Sequence, residues 1–192
     1  MLKKSLDLGC GLEPRNPFDA DELYGVDVFL EQNQDDKFFK KCNFLLEPIP
    51  FDDSYFDYVS AFDVLEHVPR NSLDLGAQSM RYPLIELMSE IHRILKPGGV
   101  FYAVTPAYPF ALAFEDPTHV NVISDKTHRY FCGPRASEAY GFKGEFKLLE
   151  AEWVYAKYAQ SAVRSRLLNF KNMHKKLVKK ANHFIWRLSA VK

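Results

Sequence analysis

Residues 6–11 read Leu6-Asp7-Leu8-Gly9-Cys10-Gly11, an apolar run carrying one acid and closing on two glycines around a cysteine. Such a run is a short buried strand feeding a tight turn, because glycine admits positive φ and lets the backbone approach a ligand closely. In open parallel sheets, ligands bind at turns of this kind, at the carboxyl ends of the strands. The residues that follow narrow the ligand. A dinucleotide fingerprint needs a third glycine where Pro14 stands, and no Gly-Lys-Ser/Thr follows to cradle a phosphate. A helix is expected to begin after the turn. Sixteen residues past Gly11, Asp27 ends a second strand, Tyr24-Gly25-Val26-Asp27-Val28. A carboxylate there can accept hydrogen bonds from both hydroxyls of a ribose. Together the turn and the acid point to a nucleoside ligand without a cradled pyrophosphate.

Working outward, Lys40 to Leu45 reads as a weak third strand and Tyr55 to Phe62 as a fourth, rich in aromatic and β-branched residues. Tyr82 to Leu95 is helical, with Leu84, Leu87, Met88, Ile91 and Leu95 on one face. Lys96-Pro97-Gly98-Gly99 is expected to stop it, and Val100 to Thr105 is a fifth strand. Phe146 to Tyr155 and His183 to Val191 read as two late strands. The whole is an α/β, Rossmann-like architecture: a mostly parallel seven-stranded sheet with an antiparallel C-terminal pair and helices on both faces. It is expected to be one domain, 1–192, with an insertion over 106–145 and a basic helical insertion over 157–182. In the latter, Val163, Leu167, Phe170, His174, Leu177 and Ala181 recur at helical spacing.

The chain has 192 residues, 47% hydrophobic and 15% aromatic, enough to bury a core. No apolar run is long enough to span a membrane, and no signal peptide is read at its start. Cys10, Cys42 and Cys132 make neither a disulfide framework nor a CxxC metal knuckle, so a cytoplasmic location is expected. The net charge is zero, yet it is divided. Residues 1–156 carry 15 Lys and Arg against all 25 acids, a balance of −10, whereas residues 157–192 carry ten basic residues and no acid. That region is the place for an anionic partner, or simply a solvated helix face; its sparse exposed aromatics make nucleic acid an unlikely partner.

Four blocks in order, LDLGCG (6–11), YGVDV (24–28), IPFDDSYFDYVSAFDVLEHV (49–68) and HRILKPGGVFYAVTP (92–106), resemble class I S-adenosylmethionine-dependent methyltransferases. The resemblance runs from about Leu6 to Pro106. It implies that Asp7, Gly9, Cys10 and Gly11 line the methionine end of the cofactor and that Asp27, followed by Val28, holds the ribose. It further implies that Asn43 and Phe44 flank the adenine, and that Phe62 and Asp63 sit beside the sulfonium. The chain departs from that pattern in three ways: Glu13-Pro14-Arg15 replaces the third glycine, Asn43 stands where an acid is usual, and the helices that usually precede the first strand are absent.

Methyl transfer from a sulfonium is an in-line displacement, so the protein chiefly positions the acceptor. An alcohol or phenol must also lose a proton, and histidine is the usual base. His119, in Asp116-Pro117-Thr118-His119-Val120-Asn121, is the expected base. The string is similar to methyltransferases of surface-polysaccharide and natural-product sugars. With Tyr108, Asn121, His128, Arg129 and Tyr130 it implies a pocket for a hydroxylated ring, the expected acceptor being a sugar, a glycan precursor or another small molecule. Asp63, Glu66 and His67 resemble the divalent-ion ligands of quinone-ring O-methyltransferases, but a common helix start explains the string more simply, and no metal is expected. Two other readings stay open: an inactive nucleoside-binding scaffold of the same fold, and an RNA methyltransferase using the basic tail.

Overall fold

The computed structural model describes residues 1–31, 36–136, 141–162 and 181–192. Among these residues nine strands and two α-helices follow in order: β1 (Lys4–Leu8), β2 (Glu22–Asp27), β3 (Phe39–Lys41), β4 (Phe56–Phe62), β5 (Ser72–Asp74), β6 (Ser79–Arg81), α1 (Pro83–Ile94), β7 (Leu95–Pro106), α2 (Leu112–Glu115), β8 (Glu145–Val154) and β9 (His183–Val191). Seven of the strands form one sheet in the order β3-β2-β1-β4-β7-β9-β8. The first five are parallel, and β9 runs antiparallel to both β7 and β8. β5 and β6 form a separate antiparallel hairpin that the sequence pattern had not marked.

Alternation along the strands divides the core into two faces. Leu6, Leu8, Phe101, Ala103, Phe184 and Trp186 point to one side and pack with Leu87, Met88 and Ile91 of α1. Phe62, Tyr102, Val104, Val154 and Ile185 point to the other. The expected helix after Gly11 does not form, and the described cover of that second face is irregular chain. Phe18 stacks on Tyr58 at 4.2 Å, the Tyr102 hydroxyl donates to the Ala159 carbonyl at 2.9 Å, and the Ala162 amide donates to the Pro17 carbonyl at 2.9 Å. Pro14 and Pro17 explain the missing helix: each removes a backbone donor, and Asn16 closes a turn by holding both the amide and the carbonyl of Ala20.

Lys96-Pro97-Gly98-Gly99 ends α1 as expected but then enters the sheet. The ladder between β4 and β7 shifts between Phe56 and Tyr58, and Gly98, at φ +75, carries the irregularity. The helix expected over 157–182 falls largely on residues outside those described. At its start, Ala156–Tyr158 is a single 3-10 turn. No helix among the described residues is long and apolar enough to cross a membrane.

Candidate active site

The parallel strands all end on one side of the sheet, where a cleft of about 440 Å³ opens. Gly9, Asp27, Val28, Asn43, Phe44 and Asp63 line it, six of the ten residues expected at the cofactor. Phe29, Leu45, Val64, His67, Val68 and Thr118 complete the wall.

Gly9 stands at φ +63, and a Cβ there would lie 2.6 Å from Val64 Cγ2. Glycine is therefore required both by the backbone and by the approach of the β4 side of the cleft. Asp27, nearly buried, fixes the turn that follows Gly9: its Oδ2 accepts from the Gly11 amide at 2.9 Å and its Oδ1 from the Phe29 amide at 2.8 Å. Each oxygen keeps a second lone pair, enough for two hydroxyls.

Four expected cofactor residues lie off the cleft wall. Asp7 is fully buried and acts on the loop instead: its Oδ2 accepts from the Arg15 amide at 2.8 Å and its Oδ1 from the Ser60 hydroxyl at 2.8 Å. Burial pushes its carboxyl up to about 6, against the opposing pull of those two donors. Cys10 is buried against Gly25, and burial pushes its thiol up to about 12, which leaves it inert. Gly11 takes φ +54 and serves through its amide. Phe62 packs on the second face, with the Arg15 guanidinium 4.8 Å from its ring centre.

Asp63 takes φ +55, and its Oδ1 lies 3.2 Å from Nε2 of His183. His183 was missed in the sequence, where it appeared only as the start of a strand. The antiparallel register that sets it opposite Pro106 brings it to the cleft end of the sheet. Beside Asp63, the 3-10 turn Leu65–His67 meets the loop over 116–121. The Glu66 carbonyl accepts from the amides of Val120 and Asn121, the Asn121 side chain donates to the Leu65 carbonyl, and Arg70 donates to Asn121 and to the Val122 carbonyl.

This zipper places His119 behind His67, ring centres 4.8 Å apart, rather than on the cleft wall. The wall position belongs to His67. Burial pushes the Glu66 carboxyl up to about 8. None of the five expected acceptor residues lines the cleft. Asn121 and His128 are buried, Asn121 in the zipper and His128 stacked on Phe184. Burial lowers the His128 pKa. Tyr108 and Arg129 are exposed, and Tyr130 lines a separate cavity of about 310 Å³ with Arg70, Tyr82 and Phe131.

This strand order, with a glycine turn after β1 and an acid ending β2, defines a class I methyltransferase domain. A family model described as a methyltransferase domain, Methyltransf_23, matches residues 2–171, and the chain belongs to that family. None of the curated proteins matches the sequence. Solved structures share the fold. The putative methyltransferase in complex with the Trm112 activator of Haloferax volcanii is 17% identical with a TM-score of 0.58, covering 99% of this chain and 83% of that one. Geranyl diphosphate C-methyltransferase of Streptomyces coelicolor is 14% identical with a TM-score of 0.53, covering 99% and 73%. A putative sarcosine dimethylglycine methyltransferase of Galdieria sulphuraria is 16% identical with a TM-score of 0.51, covering 98% and 77%.

Proposed function

We propose that this chain binds S-adenosylmethionine in the cleft and methylates a hydroxyl of a small hydroxylated acceptor, a sugar or glycan precursor being the first class to test. One observation carries the reading: one cleft is lined both by Gly9 and Asp27 and by Asp63, His67 and Thr118. The first pair suits a nucleoside, whose ribose the Asp27 carboxylate holds. The second group suits a polar acceptor beside the sulfonium, with the 106–145 connection as its cover.

The cofactor brings its own activation. The residues left to this chain are those that align the acceptor oxygen and receive its proton. His67 stands where that proton leaves, with Glu66 and His119 directly behind it. His119 therefore acts through the cluster and not as the group facing the acceptor.

Calorimetry with S-adenosylhomocysteine should show one site per chain. Asp27→Asn, which removes the charge but keeps the shape, should weaken it roughly ten- to hundredfold, the worth of a charge-assisted hydrogen bond. Absence of binding in the unaltered protein overturns the reading. A methyl-release assay across sugars, nucleotide-sugars and phenols then identifies the acceptor; turnover confined to phenols would replace the sugar class.

A further inference from the structure

Glu66, His67 and His119 converge at the cleft wall, His67 on it and the other two behind it, with one oxygen or nitrogen from each within 4.8 Å of the others. Glu66 is 1% exposed. Its Oε2 accepts the Thr105 hydroxyl at 2.9 Å. Its Oε1 is buried with no hydrogen-bond partner among the described residues, and it lies 4.0 Å from His119 Nε2, too far for a hydrogen bond. A buried carboxyl oxygen without a partner is costly; it is either protonated or met by a cation that the polypeptide does not supply.

The two imidazoles are set to supply lone pairs. His119 Nδ1 lies 3.3 Å from the Ala113 carbonyl. A carbonyl only accepts, so Nδ1 carries the hydrogen and Nε2, the atom facing Glu66, carries the lone pair. His67 Nδ1 lies 3.2 Å from the Thr118 carbonyl and 3.0 Å from the Thr118 hydroxyl, which itself donates to Asp116 at 2.6 Å. Its hydrogen is therefore also on Nδ1, leaving Nε2 as the nitrogen able to bind a cation. A ring N–H tied to a backbone carbonyl is the usual outer support of a metal-binding histidine.

We propose that Glu66, His67 and His119 bind a divalent transition-metal ion, with Zn²⁺ the preferred species. Two imidazoles and one carboxylate suit Zn²⁺, whereas Mg²⁺ favours an all-oxygen octahedron. Ligand atoms around a tetrahedral zinc sit about 3.3 Å apart, so the three side chains close by roughly 1 Å on binding. Asp63 is not in the set, because it faces His183.

Three protein ligands leave one position open, and His67, the ligand that lines the cleft, brings it within reach of the cleft. Its use there rests on the methyltransferase reading; the binding of the ion does not. With the ion bound, His67 is a ligand and takes up no proton; a hydroxyl coordinated at that position would instead lose its proton to water more readily. Its oxygen then forms the O–C bond as the C–S bond breaks and the electron pair returns to sulfur.

The test uses the whole chain, stripped with a chelator and titrated calorimetrically with Zn²⁺, Mn²⁺ and Mg²⁺, alongside S-adenosylhomocysteine. One Zn²⁺ per chain is expected, with Mn²⁺ weaker and Mg²⁺ not taken up. Glu66→Gln and His119→Ala should each weaken Zn²⁺ by more than the roughly 10- to 100-fold that loss of an outer-shell partner costs, while leaving S-adenosylhomocysteine affinity unchanged. His67→Ala, at a partly exposed position, serves as the third variant should the buried ones fail to fold. Cofactor binding without Zn²⁺ uptake, or Zn²⁺ uptake equal in all variants, overturns the metal site. Zn²⁺ uptake without cofactor binding overturns the methyltransferase reading and leaves the metal site standing.

Discussion

Gly9 carries two demands at once, a positive φ and the closeness of Val64. Gly9→Ala should cost about 1–2 kcal/mol from the left-handed backbone alone, and more as Val64 is pushed aside. Because Val64 also lines the cleft, the same change should weaken S-adenosylhomocysteine binding. Chemical denaturation and calorimetry on one variant measure both, and loss of neither would show that the turn can relax. Gly9 and Asp27 were legible in the sequence because their chemistry is local: a turn that only glycine allows and an acid at a strand end. Val64 and His67 follow Asp63 in the chain, and His67 reads there only as part of a common helix start, whereas His183 is brought to the site through space. Asp7 was legible as important but not in its role, because an acid at a strand end reads the same whether it faces a ligand or a backbone amide.

At the scale of elements, the Asp7 carboxylate joins β1 to β4 through Ser60 and to the 9–21 connection through Arg15. With no helix in that connection, these side-chain bonds set its path. The folded-state pKa of Asp7, about 6, lies above its ordinary 3.8. The native state therefore binds the proton more tightly, and its stability falls as pH rises from about 4 to about 6. That difference is worth on the order of 3 kcal/mol. Asp7→Asn should remove this dependence: its amide oxygen serves Arg15, and its amide nitrogen can donate to Ser60, whose hydroxyl can turn to the Leu6 carbonyl. Denaturation midpoints of the two proteins should converge near pH 4 and separate above about pH 6, the variant being the more stable. Parallel profiles would remove Asp7 from the ledger. The strands themselves were readable from alternation and periodicity, within a residue or two for β4, α1 and β9. The helix expected after Gly11 was not excluded by periodicity, although Pro14 and Pro17 held the signal against it. The β5–β6 hairpin has short, largely exposed strands and so leaves no apolar pattern.

Over the whole molecule, the division of charge locates the candidate chemistry. The cleft belongs to the part that carries −10, and a field of that sign favours a cationic sulfonium over its neutral product. Ligand that binds only the folded chain also stabilises all of it. S-adenosylhomocysteine at about 100 times its dissociation constant should raise the unfolding free energy by about 2.7 kcal/mol. Denaturation with and without ligand checks this, and an unshifted transition would contradict binding to the native state. The basic segment lies mostly beyond the described residues, and its sequence still marks it as the candidate contact for an anionic partner.

The bonds that zip residues 65–70 to residues 120–122 also constrain traffic. Lifting that side of the cleft would strip two amides from one carbonyl and unseat a guanidinium in a single event. The opposite margin, where Phe29 and Leu46 project into solvent, is tied mainly within itself, through Asn43 and Glu47, its longer-range bond there being the Arg81 guanidinium to the Leu45 carbonyl at 3.4 Å. On the proposed binding mode, molecules should come and go past the margin at Phe29 and Leu46. An acceptor too large for that doorway would have to arrive before the cofactor, making size a determinant of binding order.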